Sequence, residues 1–420
     1  MSLLAALREG GQVRAVDLAL ADTLRGLDPS TPEAVLAAAA LASFAVSQGH
    51  AAFDPARARE LAGIEPPGAE AWLAELRASR WVAHAEAGVE SDPGRPLVLE
   101  RGLLYLRRYR EYERRLAREL ARLAGADAGS LAEAIPPALA ALFEQLFPGQ
   151  SREASSTEDG QADAARLALS RRLALVTGGP GTGKTTTIAR VLLLLLAQAR
   201  DAGRPPPRIA LAAPTGRAAE RMAESLRRAV AQLRGEPGIE AAPGSGPGQA
   251  LLDALPQQAS TLHRLLGPLP DGSAFRHHRD RPLPHDIVVV DEASMVDLPL
   301  MCKLLEAVPD ATRLLLLGDP DQLPSVEAGD VLAAIATAAA ARDDAPLAGH
   351  LVHLRRAYRQ SDALDLAPLA EAVRRGDADD ALALLRADAL SGVRFHADAH
   401  DPLRAPLRER LLPAWQALQA

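Results

Sequence analysis

Gly178-Gly179-Pro180-Gly181-Thr182-Gly183-Lys184-Thr185 fits the pattern G-x-x-x-x-G-K-[ST], a loop whose backbone N–H groups cradle the phosphates of a nucleoside triphosphate. Lys184 is placed to reach the β- and γ-phosphates, and the Thr185 hydroxyl to take a position on Mg²⁺. The chain has 47 basic residues, and only Lys184 and Lys303 among them are lysines. Arginine serves almost everywhere else that positive charge is needed. A planar, bulky guanidinium cannot fold back over a wrapped phosphate as a compact ammonium on a flexible stem can. These residues point to binding of a nucleoside triphosphate.

A second set of reactive residues lies downstream. Ile287-Val288-Val289-Val290 is an apolar strand that ends in Asp291-Glu292. A parallel strand delivers its C-terminal residues to the ligand edge of its sheet. Asp291 is thereby placed to hold Mg²⁺, and Glu292, on the following turn, to polarise an attacking water. Taken alone, an Asp-Glu pair at a strand end could equally cap a helix. Together with the phosphate loop it reads as a hydrolytic site.

These residues need a sheet to position them. Leu173-Ala174-Leu175-Val176-Thr177 is a short apolar run before the loop, and a leucine-rich helix is expected over 185–198. Strand, loop and helix N-terminus in that order put N–H groups and the positive end of the helix dipole on the phosphates. Further strands are expected near 208–213, 286–290, 312–317 and 349–353, alternating with helices. That alternation predicts an α/β fold, a parallel sheet with helices on both faces.

Ahead of the sheet, residues 1–147 carry helical patterns over 32–47 and 70–78, a hairpin at 97–99 and 103–106, and a basic helix over 107–123. A polar stretch at 148–160 has little to bury and reads as a linker. The expected division is therefore 1–147, a mainly helical docking domain, then the linker, then 161–345, the domain of the phosphate loop, and 346–420. The Gly- and Pro-rich stretch 234–258 reads as a mobile surface insertion. The arginines of 107–118 read first as a solvated helix face, with a partner-docking or DNA-facing surface as the alternative.

Composition narrows the class. A net charge of −7 excludes a uniformly basic nucleic-acid binder but not a local basic groove. The single cysteine, Cys302, excludes a disulfide framework and a cysteine-based zinc site. It reads as a buried apolar thiol, and a reducing, cytoplasmic setting is expected. No apolar run is long enough to span a membrane, so no membrane partner is expected. His396 and His400 are four apart, with no third ligand to make a metal pair.

Several strings together carry a family resemblance. Asp291-Glu292-Ala293-Ser294-Met295-Val296, followed by Gly318-Asp319-Pro320-Asp321-Gln322-Leu323-Pro324-Ser325-Val326, resembles motifs II and III of superfamily 1 helicases. The string GGPGTGKTTT at 178–187, Ala213-Pro214-Thr215-Gly216-Arg217-Ala218-Ala219 and Ser260-Thr261-Leu262-His263-Arg264 narrow the resemblance to the RecD family, the alpha subunit of exodeoxyribonuclease V. Arg355-Arg356-Ala357-Tyr358-Arg359-Gln360 resembles that family's motif IV.

The resemblance implies a RecA-like P-loop motor domain that binds ATP through Gly178, Gly179, Pro180, Gly181, Thr182, Gly183, Lys184, Thr185 and Thr186. It implies that Gln161, 17 residues before Gly178, reads the adenine. Gln322 would sense the γ-phosphate, and Arg359 would bring charge to the transferring phosphoryl group. Thr215, Arg217, Thr261 and His263 match positions that contact the single strand in similar helicases. Thr215 could instead serve as a helix cap, and His263 as a helix-face histidine with its bonds satisfied.

The resemblance further implies partners: single-stranded DNA, double-stranded DNA ends, and the beta and gamma subunits of exodeoxyribonuclease V. The activity expected is ATP-driven translocation on single-stranded DNA in double-strand-break repair and recombination. The chain departs from the family after Arg359, where neither an H-x-x-Q-G-x-E string nor a terminal arginine finger follows. Residues 346–420, with helical patterns over 363–375 and 379–386 and a short strand at 393–395, are therefore expected to begin a second RecA-like domain and leave it incomplete. The alternative reading is a subunit that binds ATP and DNA without motor activity.

Overall fold

The computed structural model describes residues 3–64, 68–85, 92–125, 135, 137–148, 160–179, 181–235, 247–270, 272, 274–322, 328–341, 345–354, 366–387, 390–393, 395, 412, 413, 415 and 416. The chain divides into two compact units, Met1–Arg356 and Ala357–Ala420.

The first unit opens with helices α1 (Leu3–Glu9), α2 (Ala15–Leu27), α3 (Glu33–Ser47), α4 (Ala58–Ala62) and α5 (Ala69–Ala78). The alanine-rich α3 is buried on nearly every side, since small side chains let neighbouring helices approach closely. Trp72 of α5 anchors on it, its indole N–H donating to the Ala34 carbonyl at 2.9 Å, with Phe53 edge-on to the indole at 5.6 Å. Strands β1 (Val82–His84), β2 (Leu97–Glu100) and β3 (Leu103–Leu106) complete this core. The hairpin read from the sequence is β2 and β3, paired antiparallel from Leu97 opposite Leu106 to Glu100 opposite Leu103. β1 pairs parallel to β2 and is too short to leave a periodic signal.

Helices α6 (Arg107–Gly125) and α7 (Pro137–Leu146) lead to α8 (Gln161–Ser170), and the second sheet then begins. It contains β4 (Leu173–Gly178), β5 (Ile209–Ala213), β6 (Ser260–Thr261), β7 (Ile287–Val290), β8 (Arg313–Gly318) and β9 (Leu351–Leu354), in the order β6-β5-β7-β8-β4-β9. Every pairing is parallel. The strands are buried almost throughout, as a sheet covered on both faces requires. Helices α9 (Lys184–Asp201), α10 (Gly216–Arg234) and α11 (Pro247–Asp253) share one apolar core with α7 and α8. Helices α12 (Leu262–Leu266), α13 (Leu298–Ala307) and α14 (Val331–Ala339) share the core on the other face with α6. The α/β architecture expected from the strand–helix alternation is the one observed.

Four placements differ from the sequence reading. β9 pairs with β4 from Leu175 opposite Leu351 to Gly178 opposite Leu354. Residues 351–354, within the stretch expected to begin a second domain, therefore complete the six-stranded sheet. Helices α6 and α7, expected with the N-terminal domain, pack on opposite faces of the six-stranded sheet. Residues 247–258, read as part of a mobile insertion, are packed: Leu252 and Leu255 are buried beside α9, and Arg234 bridges Asp253 at 2.6 Å. Residues 236–246 lie outside the described residues. In the second unit α15 (Ala367–Arg374) and α16 (Ala378–Arg386) form a helical pair, while Val393 and Phe395, read as part of a strand, join none. His396, His400 and most of the linker 148–160 lie outside the described residues.

The arginines of α6 are mostly engaged with protein. Arg110 is buried against Glu100 at 2.7 Å, and Arg115 makes a two-pronged bond to Glu306 of α13 at 2.7 and 2.6 Å. Arg122 donates to the Leu305 and Val308 carbonyls at the C-terminal end of α13, where a cation also meets the negative end of the helix dipole. Arg108 and Arg118 remain exposed. The solvated-face reading therefore holds for part of the helix only, because Tyr112, Leu116, Leu120 and Leu123 of α6 must also be buried.

Candidate active site

The strands of the six-stranded sheet run parallel, so all their C-terminal ends meet one edge. In register, Thr177 lies opposite Gly318, Gly178 opposite Leu354, and Val290 opposite Leu316. The phosphate loop follows β4, Asp291-Glu292 follows β7, and Asp319 to Gln322 follows β8. Three separate strings are thereby brought to neighbouring strand ends.

The loop has the backbone that its glycines permit. Gly183 takes φ +82°, a left-handed conformation, directly before α9. A Cβ on Gly178 would fall 2.8 Å from the Leu354 carbonyl and 2.8 Å from the Thr182 hydroxyl, so β9 leaves no room for one. The helix begins at Lys184, one residue before the expected start, with the unbonded N–H groups of its first turn at the loop. The Lys184 ammonium curls back and donates to the Gly178 and Gly179 carbonyls at 2.5 and 3.0 Å. Thr182 is buried and donates to the Gly179 carbonyl at 2.9 Å, while Thr185 and Thr186 are partly exposed at the start of α9. Pro180 lies outside the described residues.

Asp291 is partly buried, and its Oδ1 accepts the Glu292 N–H at 2.9 Å. Burial pushes its carboxyl above the usual carboxylate range, and the neighbouring charge of Glu292 adds to this. The charges of Lys184 and Arg221 oppose it. A partly buried carboxylate that feels the charge of Lys184 is the donor that a divalent cation would satisfy. Thr185, Asp291 and the glycine loop together fit a magnesium nucleotide. Glu292 adopts φ +53°, ψ +40°, a left-handed conformation that costs a non-glycine residue energy and is concentrated at functional sites.

Gln322 is held by Asp319. Its amide Nε2 donates to Asp319 Oδ2 at 3.3 Å, and its backbone N–H donates to the Asp319 carbonyl at 3.2 Å. Asp319 is buried and also accepts the Asp321 N–H at 3.1 Å. Gln161 is buried at the start of α8, and Arg190 of α9 donates to its Oε1 at 3.4 Å. Arg359 and the rest of 355–360 lie outside the described residues.

The four residues matched to DNA contacts lie on the same edge, Thr215 and Arg217 after β5, Thr261 at the end of β6 and His263 just past it. Thr215 is exposed and caps α10, its Oγ1 accepting the Ala218 N–H at 3.2 Å. Thr261 caps α12 in the same way, accepting the Arg264 N–H at 3.1 Å. The capping role considered for Thr215 is therefore present, and it leaves the threonine on the surface. Arg217 is exposed, as is His263, whose ring lies 5.8 Å from that of Phe275.

Sequence reasoning missed several participants. Asp319 sits inside the motif III string, and the burial of a charged group at a strand end marks it only once the fold is known. Arg190 and Arg221 lie on helices where arginine is common, and nothing local distinguishes them. Cys302, read as a buried thiol, is buried in α13, and burial pushes its thiol up to about 12.

Comparison with known proteins gives the family. The model of the RecBCD enzyme subunit RecD N-terminal domain matches residues 9–105, and that of an AAA domain matches residues 161–328. The RecBCD enzyme subunit RecD of Mycolicibacterium smegmatis is 41% identical over 410 residues, covering 96% of this chain and 65% of that protein. That of Mycobacterium tuberculosis is 40% identical over 412 residues, covering 97% of this chain and 64% of that protein. The chain belongs to the RecD family. It spans just under two thirds of the length of these curated relatives. Within the family's wider circle, the ATP-dependent RecD2 DNA helicase of Deinococcus radiodurans is 36% identical over 246 residues, 58% of this chain and 27% of that protein. Among solved structures, Pif1 helicase from Candida albicans aligns with 17% identity and a TM-score of 0.28, covering 56% of this chain and 48% of that one. Among the described residues no helix is long and apolar enough to cross a membrane.

Proposed function

We propose that this RecD-family chain is the ATPase motor of a DNA helicase subunit, hydrolysing ATP to translocate along single-stranded DNA. The single observation that carries this reading is the shared sheet edge. The ATP-binding loop, the Asp291-Glu292 pair and the Asp319–Gln322 contact occupy the ends of β4, β7 and β8, beside the capped helix starts after β5 and β6.

In this reading the glycine loop and the first turn of α9 hold the phosphates. Lys184 leaves its carbonyl partners for the β- and γ-phosphates, and Gln161, braced by Arg190, meets the adenine. Thr185 and Asp291 would hold Mg²⁺, which supplies charge neutralisation between the β- and γ-phosphates. Glu292, set by its left-handed backbone, orients the attacking water and accepts its proton. Gln322 detects whether the γ-phosphate is present, and because Asp319 holds it, its movement passes to the end of β8. Arg359 adds positive charge to the transferring group. Thr215, Arg217, Thr261 and His263 contact the strand through its backbone, which suits sequence-independent binding.

The N-terminal core built around α3 would dock the beta and gamma subunits of an exodeoxyribonuclease V type complex in the cytoplasm. Double-strand-break repair and recombination would be its setting. The names of the RecD relatives, subunits of a RecBCD enzyme, support this placement. The test is phosphate release from Mg-ATP with and without single-stranded DNA. Stimulation by DNA is expected, and it should be lost in Arg217→Ala while ATP affinity is kept. Hydrolysis indifferent to DNA would refute the motor reading and leave an ATP-binding subunit.

A further inference from the structure

Ser294 is the middle residue of the short 3-10 turn Ala293–Met295, which follows the Asp291-Glu292 pair. Its side chain is buried, with 1% of the residue exposed, and its Oγ has no hydrogen-bond partner among the described residues. Most buried side-chain polar atoms in folded proteins are paired, and leaving one unpaired is destabilising. Packing alone would be better served by alanine at this position.

The turn lies against the end of β8. A Cβ on Gly318, the last residue of that strand, would fall 3.1 Å from the Ser294 nitrogen and 3.3 Å from that of Ala293. Asp319 comes next in the chain and is buried as well. Its Oδ1 accepts the Asp321 N–H at 3.1 Å, and its Oδ2 accepts from the Gln322 amide at 3.3 Å, a long bond for an N–H donor. When Gln322 turns to a γ-phosphate, Oδ2 loses that donor while the carboxylate stays buried. An unpaired charged oxygen costs more than an unpaired hydroxyl. A hydroxyl donor stands beside it, equally buried, on the turn packed against Gly318.

We propose that Ser294 is a positioning residue for the response to the γ-phosphate, its Oγ–H donating to Asp319 Oδ2 when Gln322 leaves for the nucleotide. The exchange keeps the buried carboxylate paired in both states, so little opposes the release of Gln322. It also ties the turn after Asp291-Glu292 to the end of β8 only while a γ-phosphate is bound. Ser294 acts through Asp319 and not on the nucleotide. The proposal rests on the reading of Gln322 as the group that senses the γ-phosphate.

The test is calorimetric titration of the full chain with two magnesium nucleotides, ADP and AMP-PNP, a non-hydrolysable analogue that keeps a γ-phosphate. Ser294→Ala should bind AMP-PNP about tenfold more weakly, the value of one hydrogen bond to a charged group, and bind ADP as before. Ser294→Cys fills the same space with a weak donor and should behave likewise. In Gln322→Ala the amide is gone from Asp319 in both states, so adding Ser294→Ala there should shift AMP-PNP and ADP alike. Without nucleotide, Ser294→Ala should raise the thermal midpoint, because an unpaired buried hydroxyl has been removed. That gain should shrink at saturating AMP-PNP.

Equal weakening of both nucleotides in Ser294→Ala, or no weakening of either, would overturn this proposal. So would the same selective loss of AMP-PNP when residue 322 is already alanine. In each case a lowered preference for AMP-PNP in Gln322→Ala alone would leave the sensing role of Gln322 standing. If Gln322→Ala changes neither affinity, that sensing role fails and this proposal fails with it.

Discussion

Two truncations should behave very differently, because the N-terminal core and the cores of the six-stranded sheet part at Arg107. Removing residues 1–106 takes away the core around α3, whose buried members all lie between Leu4 and Leu104. Removing 1–147 also takes Tyr112, Leu116, Leu120 and Leu123 from one face of the motor sheet and Leu139, Phe143, Leu146 and Phe147 from the other. Each such side chain covers apolar surface worth roughly 1.5–3 kcal/mol. With some allowance for a compact denatured chain, uncovering their partners on α9 and α13 costs about 10 kcal/mol or more. That is comparable to the entire stability of a typical domain, about 5–15 kcal/mol. The two-pronged Arg115–Glu306 bond and the Arg122 contacts would be lost as well. The assay is urea unfolding followed by circular dichroism, with binding of a fluorescent ATP analogue measured on each purified form. The 107–420 chain should keep a cooperative transition and its nucleotide affinity. The 148–420 chain should lose both and expose apolar surface. If both forms unfold at the same midpoint and bind nucleotide equally, α6 and α7 are not part of the motor core.

Three further outcomes are expected. Lys184→Ala and Lys184→Arg should both abolish ATP turnover, since a guanidinium cannot take the tight curl that brings Nζ to 2.5 and 3.0 Å from the loop carbonyls; near-normal turnover in the arginine variant would refute this. Gly178→Ala should lower the thermal midpoint and the nucleotide affinity, at a cost of about 1–3 kcal/mol for overpacking, because the added carbon would meet the Leu354 backbone at 2.8 Å; an unchanged midpoint would show that β9 can move aside. Asp291→Asn should stabilise the chain without magnesium or nucleotide while ending hydrolysis. The Asp291 carboxyl is raised from its ordinary 3.8, so the folded chain binds more protons than the unfolded one between that value and the raised one. Stability therefore falls as pH rises through this window, and the penalty persists at neutral pH. Denaturant midpoints of the two forms should coincide below about pH 4 and separate in favour of asparagine above it, and a constant difference across pH would refute the assignment.

The phosphate loop, the strand ending in Asp291-Glu292 and the strand–helix alternation were legible because each is local. A glycine loop between an apolar run and a helix, or four β-branched residues before two carboxylates, declares itself within ten positions. Family resemblance drew attention to Gln161, Gln322 and the capping threonines, whose types alone carry little information. The short strands β1 and β6 left no periodic trace, since two or three residues cannot show an alternation.

What only the tertiary structure decided are matters of who packs on whom. The basic helix 107–125 has the charge pattern of a solvated surface, and only the fold shows Arg115 turned to the Glu306 carboxylate and Arg122 to the carbonyls ending α13, with Glu119 and Asp310 beside it. Residues 346–354 could start a new sheet or finish an old one. The free edge of β4 settles it, because an apolar strand gains its hydrogen bonds wherever an unpaired edge is open to it. Burial raises the Asp291 carboxyl, and a buried Asp319 holds Gln322, through neighbours far away in sequence. The sequence by itself determined which groups could handle a triphosphate. Folding decided which of them meet, because parallel strands deliver their ends to one edge whatever the distance between them along the chain.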